Sequence, residues 1–225
     1  MSKKTKDKYQ AIIEAAIKVI AEHGYHSAQV SKIAKEAGVA EGTIYLYFQN
    51  KEDVLISIFK DKMGEYITLV RNKLQAVDDP LKKLKLLVQM HFSNLEADRN
   101  LAAVLQVQLR QSHPSIRKRI AEPLRGYYRL IEEIVSEGIA KGIFRENLNV
   151  YLARQVIFGS MDEVATCWVM AQKPYSLSGQ APAVFDLLAH ALCSREMGQL
   201  IKNGINKSCT FGQQSILLLE DGDHH

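Results

Sequence analysis

Residues 31–55 read SKIAKEAGVAEGTIYLYFQNKEDVL. Two short helical patterns, SKIAKEAG and GTIYLYF, flank a turn that contains Gly38 and Gly42. That arrangement is a helix-turn-helix. Winding residues 42–48 at about 100° per residue puts Ile44 and Phe48 on one face, as positions i and i+4 must be. That face reads as core. Gly42, Thr43 and Leu46 fall on the opposite side, and Tyr45 and Tyr47 on the flanks between them.

In such a motif the second helix enters the DNA major groove with its N-terminal residues at base edges. Gly42 lets backbone approach the bases. Thr43 can bond a base edge, and Leu46 can touch a thymine methyl. The flanking Tyr45 and Tyr47 reach the phosphate walls, although two tyrosines packed with their hydroxyls in water is the plainer reading. Lys51 stands at the start of the next helix, where the macrodipole disfavours a cation and a phosphate would reverse that cost.

Outward from this stretch the pattern stays helical. Ile13, Ala16, Ile17 and Ile20 form one apolar stripe ahead of a stop at Gly24. A long helix runs from about 51 to 76, with Asn50 as N-cap and Asp53 as the acid at N3. Its inward positions are Leu55, Ile58, Phe59, Ile67, Val70 and Leu74. Asp79-Pro80 opens a helix to about 97. Residues 101–111 form another. A third of this group runs from 114 to about 141, with Pro123 expected to kink or divide it and Gly142 to end it. Segments 149–171 and 182–197 complete an all-α fold of about nine helices, with no alternating strand pattern. The expected organisation is a helix-turn-helix unit with a basic N-terminal arm at 1–50, a ligand-binding and dimerisation unit at 51–200, and a poorly ordered tail at 201–225.

Segments 149–171 and 182–197 carry few charges: Arg154, Asp162 and Glu163 in the first stretch, Asp186 in PAVFDLLAHALC of the second. A helix apolar nearly all round is buried on more than one side. A central core pair satisfies this, and so does a two-fold dimer interface, which we favour as the reading of two consecutive helices of this kind. Phe158, Trp168, Val184, Leu187 and Leu188 are the interface candidates.

The formal net charge is +4 over 225 residues. Residues 1–60 hold nine Lys/Arg and seven Asp/Glu, whereas 115–129 hold five Lys/Arg against Glu122 alone. A mild basic balance is compatible with a polyanionic partner. Arg117 and Lys118 occupy a first helical turn, again the wrong end for cations, with Arg110 just upstream. A solvated charged face accounts for this, and so does an anion held outside the core. Phe92, Leu95, Leu105, Leu109, Tyr127, Leu130, Ile157, Phe158 and Met161 supply an apolar interior, as plain core or as pocket wall. An apolar interior beside an arginine cluster suits a ligand with a hydrocarbon tail and a phosphate-bearing head, as in acyl-CoA. Arg110, Arg117 and Lys118 are candidates for that head, and Arg154 a further one.

Other classes find less support. The seven histidines form no HExxH-like pair, so no metal is expected. Cys167, Cys193 and Cys209 match no zinc or redox spacing, which suits a reducing cytoplasmic setting. The lysine-rich N-terminus does not read as a signal peptide, and no apolar run is long enough to span a membrane. No carboxylate pair, nucleophile motif or cofactor loop points to an enzyme, and no cofactor is implied.

SKIAKEAGVAEGTIYLYFQNKEDVL, with AIIEAAIKVIAEHGYHSAQV before it, resembles the DNA-binding region of the TetR family of bacterial transcriptional regulators over about residues 8–60. The resemblance implies a homodimer on palindromic operator DNA, with base contacts from Gly42 and Thr43 and phosphate contacts from Tyr45, Tyr47 and Lys51. The family often has serine or threonine where Ala28-Gln29 and Ala40 stand here, so Ser31 or Gln29 replaces one phosphate contact. To about residue 192, LQVQLRQS and LARQVIFGSMDEVATCWVM are similar to one branch, the acyl-CoA-responsive FadR repressors of fatty-acid degradation in Gram-positive bacteria. Release from DNA by long-chain acyl-CoA is what that similarity implies. The rival within the family is a sensor of another lipophile such as a drug.

Overall fold

In a computed structural model, residues 3–108 and 114–194 are described. Leu109 and Arg110 and the tail at 201–225 lie outside the described residues, as does the side chain of Arg117. Among the described residues there are nine α-helices: α1 Lys3–His23, α2 Val30–Glu36, α3 Glu41–Ile44, α4 Lys51–Gln75, α5 Pro80–Ala97, α6 Arg99–Ala103, α7 Pro114–Ala140, α8 Val150–Met170 and α9 Ala181–Leu192. One isolated antiparallel bridge joins Phe144 and Cys193.

The expected caps form. The Asn50 side-chain oxygen Oδ1 accepts from the Asp53 backbone amide at 2.8 Å, and the Asp53 carboxylate accepts in return from the Gln49 amide at 3.1 Å. The Asp79 carboxylate accepts from the amides of Leu81 and Lys82 ahead of the proline-started α5. Gly24, Gly38 and Gly142 all take positive φ at chain reversals after helices, a conformation L side chains rarely adopt.

Two cores result. The first gathers Ile12, Ile13, Ala16 and Ile20 of α1, Ile33 of α2, Ile44, Phe48 and the first turns of α4. The second gathers Val70 and Leu74 of α4, Leu84, Leu87 and Phe92 of α5, Leu130 and Ile134 of α7, and Ile157, Met161 and Trp168 of α8. Leu101, Val104, Ile116 and Ile120, from α6, the turn after it and α7, belong to the first core. The α1–α3 unit is therefore seated on helices that lie far along the chain.

Four expectations change. Helix 101–111 becomes α6 followed by a π-helical turn, Val104–Gln108, held to α8 where the Thr166 hydroxyl donates to Gln106 Oε1 at 3.0 Å. Pro123 does not divide α7, which runs through it from Pro114 to Ala140. The helix expected over 182–197 stops at Leu192, because Arg145 N and Ser194 N bond Leu192 O and Ile143 O and draw the chain into the bridge. Trp168, Val184 and Leu188, expected to face a partner subunit, are buried within their own. Trp168 is fixed there by its Nε1–H, which donates to the Tyr175 carbonyl at 2.9 Å, and by the Arg99 guanidinium stacked at 4.6 Å. Leu187 is 71% exposed, and Leu152, Val156 and Met170 of α8 are exposed with it.

Candidate DNA-binding face and ligand cavity

The burial expected for residues 42–48 is found, although α3 itself ends at Ile44 and residues 45–47 form a turn. Ile44 and Phe48 are buried, while Leu46 is 81% and Tyr45 51% exposed. Gly42 and Ser31 are exposed and Thr43 half-buried. With Ala40 and Gln29 at the N-cap positions, neither α3 nor α2 has a side-chain cap. Tyr47 is half-buried and tilts against Tyr9 at 6.1 Å, while Tyr9 stacks on Phe48 at 5.2 Å and donates to Asp61 at 2.7 Å. Burial, with Asp61 beside it, pushes the Tyr9 phenol up to about 12. Tyr47 therefore braces the turn after α3 against α1.

Lys51 has a structural task at the N-terminus of α4. Its ammonium donates to the carbonyls of Tyr25 at 2.8 Å and His26 at 3.0 Å and lies 4.7 Å from the Tyr25 ring centre. Two carbonyl dipoles and a ring face compensate the cation where the macrodipole opposes it. Burial lowers its pKa. The bonds pin the loop between α1 and α2 against α4.

Behind this unit lies a cavity of about 400 Å³, within the range of small-molecule sites. Phe59, Met63 and Tyr66 of α4, His91 and Leu95 of α5, Leu101 of α6, Leu105, Ile120, Leu124, Tyr127 and Phe158 line most of it. Polar lining comes from Lys62, Asn94, Gln106 and Asp162. Of the residues expected from sequence, Leu95, Leu105, Tyr127 and Phe158 reach the cavity. Phe92, Leu130, Ile157 and Met161 are fully buried in the second core and are not among the lining residues. Arg154 is 8% exposed, stacked at 4.3 Å on each of Tyr128 and Tyr151, with its Nε 3.3 Å from Glu132. Lys118 is exposed on α7, as are Arg125 and Arg129.

Tyr66 and His91 are lining residues that sequence reasoning missed. The Tyr127 hydroxyl and His91 Nδ1 stand 3.1 Å apart, and the Tyr66 ring packs 5.7 Å from that of Tyr127. Burial drives His91 down to about 4, leaving it neutral at pH 7, and raises both phenols. The Tyr66 and Tyr127 hydroxyls are hydrogen-bonded to each other, and among the described residues His91 Nε2 is buried without a hydrogen-bond partner. The available signal was His91 within LLVQMHFSNL, one helical turn from Leu87 and from Leu95 on an apolar stripe.

An exposed short helix set on a small core, and an apolar cavity walled partly by residues of that same core, are the parts of a ligand-responsive DNA-binding protein. Residues 12–58 match the family described as bacterial regulatory proteins, tetR family, and residues 59–191 match the YsiA-like C-terminal region. The chain belongs to the TetR family. It is 50% identical to the fatty acid metabolism regulator protein of Bacillus subtilis over 190 residues, 84% of this chain and 98% of that one. It resembles the crystal structure of FadR from B. subtilis in complex with stearoyl-CoA, with 51% identity, 80% and 97% coverage and a TM-score of 0.78. The fatty acid degradation regulator FadR of Bacillus halodurans matches with 54% identity, 81% and 94% coverage and a TM-score of 0.79. Among the described residues no helix is long and apolar enough to cross a membrane, and no side-chain cluster could hold a metal ion.

Proposed function

We propose that this chain is a cytoplasmic, non-enzymatic repressor of fatty-acid degradation genes, released from a palindromic operator by long-chain acyl-CoA and needing no cofactor. The supporting observation is that Leu101 and Ile120 serve twice. Both line the cavity, and both belong to the core that seats α1–α3. A ligand that displaces them changes the footing of the recognition helix. It shifts the equilibrium between DNA-competent and released states by as much as it binds the two unequally.

In this reading residues 1–50 bind DNA and 51–200 bind the effector and the second subunit. The dimer places two α3 helices in major grooves about one helical turn apart, roughly 34 Å. Gly42, Thr43 and Leu46 face base edges, and Ser31, Tyr45, Tyr47 and Lys51 face phosphates. The exposed stripe of Leu152, Val156, Met170 and Leu187 forms the subunit contact. The acyl chain lies in the cavity against Leu95, Leu105, Tyr127 and Phe158, with Phe92, Leu130, Ile157 and Met161 as the packing behind them; Leu109 is a further candidate from the sequence. Each buried methylene contributes about 0.8 kcal/mol, so affinity climbs with chain length until the cavity is full. The phosphates meet cations of α7, Arg117 and Lys118, together with Arg110. Arg154 contributes least, since its guanidinium is already held by Glu132 and two rings.

A second reading, a sensor of lipophilic cations such as drugs, draws on Asp162 beside the aromatic rings of Tyr127 and Phe158 in the cavity wall. One experiment separates the two. A palindrome selected from random DNA is bound by the protein and challenged with palmitoyl-CoA, palmitate and a cationic dye. Release by palmitoyl-CoA alone supports the acyl-CoA reading, and release by the dye alone supports the other.

A further inference from the structure

Most of the cavity wall is apolar, but two neutral amide side chains stand in it, Asn94 of α5 and Gln106 of the π-helical turn. Gln106 is 6% exposed. One end of its amide meets the Thr166 hydroxyl at 3.0 Å, and the other end has no hydrogen-bond partner among the described residues. The half-buried Asn94 side chain has no partner among them at either end. Unpaired amides in a cavity wall destabilise the empty protein, and leucine or methionine would fill the same space without that cost. Resting on the acyl-CoA reading, we propose that Asn94 and Gln106 bind the two secondary amides of the effector's pantetheine arm, one each.

Three features carry this. First, Gln106 is held in place. It stands on a π-helical turn, a rare form that is frequent at functional sites. The Thr166 hydroxyl is also 2.8 Å from the Asp162 carbonyl, so it can bond either end of the Gln106 amide while the other end remains for a ligand. Second, the chemistry matches. A side-chain amide both donates and accepts, and so does a secondary amide. Neither residue has a charge to hold an anion, and Lys62, the cation in the lining, lies 3.7 Å from Glu65. In acyl-CoA the tail has no polar group and the phosphates need cations. The arm between them carries two neutral amides, and each can reach its own side chain. Third, the position suits the arm. Asn94 and Gln106 adjoin Leu95 and Leu105, which line the cavity with them. Asn94, Leu105, Phe158 and Asp162 are half-buried, whereas Leu101, Ile120 and Tyr127 are buried. The tail therefore runs inward to Leu101 and Ile120, and the arm takes the shallower stretch. The site thus tells a CoA thioester from other lipids by its arm as well as by its phosphates.

The test is calorimetric binding of palmitoyl-CoA, of palmitoyl-pantetheine, which keeps both amides without the phosphates, and of S-palmitoyl-mercaptoethanol, which has neither. The parent protein should bind palmitoyl-pantetheine at least tenfold more tightly than the mercaptoethanol thioester. Asn94→Leu and Gln106→Met should each lose several-fold of that preference by weakening palmitoyl-pantetheine and palmitoyl-CoA alone. Unchanged affinity of both variants for the mercaptoethanol thioester shows that the cavity is intact. Their melting temperatures without ligand should equal the parent's or exceed it, since Asn94→Leu removes an unpaired amide and Thr166 keeps the Asp162 carbonyl in Gln106→Met. Equal affinity of the parent for palmitoyl-pantetheine and the mercaptoethanol thioester overturns this inference and leaves the acyl-CoA reading standing. So does a full preference retained in both variants, and so does an equal loss of all three ligands. Failure of palmitoyl-CoA itself to bind the parent overturns the acyl-CoA reading, and this inference with it.

Discussion

Arg119 of α7 donates to Asp53 of α4 at 2.5 Å, and its other terminal nitrogen lies 3.6 Å from Glu52. The pair ties two functions together. Ile120, next to Arg119, lines the cavity. The other Asp53 oxygen caps the amide of Gln49, the residue after Phe48. The guanidinium, hydrogen-bonded to Asp53, holds its carboxyl below the usual carboxylate range. Arg119 is about half exposed, so the pair is worth at most about 1 kcal/mol to stability. Its value as a link is separate from that figure. Arg119→Met should leave acyl-CoA affinity unchanged by calorimetry while raising the effector concentration needed to release DNA by several-fold. An unaltered release curve would assign the coupling to the apolar contacts of Leu101 and Ile120 alone.

Lys51→Ala should do two things at once. It removes a phosphate contact, so binding should weaken alike on operator and random DNA, and the slope of affinity against salt should flatten by about one ion. It also frees the carbonyls of Tyr25 and His26, at a cost of about 1–3 kcal/mol in denaturant unfolding. Thr43→Ala, which breaks no recorded bond within the protein, should instead relax preference at one base pair per half-site and leave stability alone, with a loss on the order of 1–3 kcal/mol in operator affinity.

Neighbouring leucines of α9 should respond in opposite ways. Leu187 is exposed and Leu188 is buried. Leu187→Glu should give folded monomers by light scattering with a nearly unchanged helical spectrum. Leu188→Ala should keep the dimer and lose about 2–5 kcal/mol of stability, through the cavity it leaves in the second core. Folded dimers from Leu187→Glu would move the subunit contact off this stripe.

The contrast between those leucines marks where the sequence was readable. Ile13, Ala16, Ile17 and Ile20 announce one buried face because a single helix repeats them, and Ile44 with Phe48 does the same for α3 and the turn after it. The helix ends marked by Asn50, Asp79 and Gly142 were equally plain, since these residues act on their immediate neighbours. A helix apolar on two sides gives no such order: nothing in PAVFDLLAHALC says whether Leu187 or Leu188 meets its own core. The cavity was less legible still. Tyr66, His91 and Tyr127 come from three helices and meet only through packing, so no spacing within the chain announces them. Lys51 was recognised as misplaced against the macrodipole, but the carbonyls that compensate it lie 26 and 25 residues upstream, in a loop whose path periodicity does not describe.

Acid should expose the cost of the buried imidazole. His91 is held at about 4 by burial, against an ordinary value of 6.5, so the folded protein binds fewer protons than the unfolded one between those values. Stability contributed by the neutral ring is therefore complete above pH 6.5 and is lost as the pH falls toward 4. A gap of that size is on the order of 3 kcal/mol. The groups around the ring keep their charge over that range. Tyr66 and Tyr127 are phenols with raised values, and Phe92 does not titrate. His91→Leu, which fills the space with carbon, should flatten the acid limb of the unfolding curve between pH 6.5 and 4 and leave the remaining carboxylate-driven decline below it. Urea titrations of parent and variant at half-unit pH steps measure the difference directly. Parallel curves through that window would mean that the ring is protonated in the folded state and that the cavity end carries a positive charge.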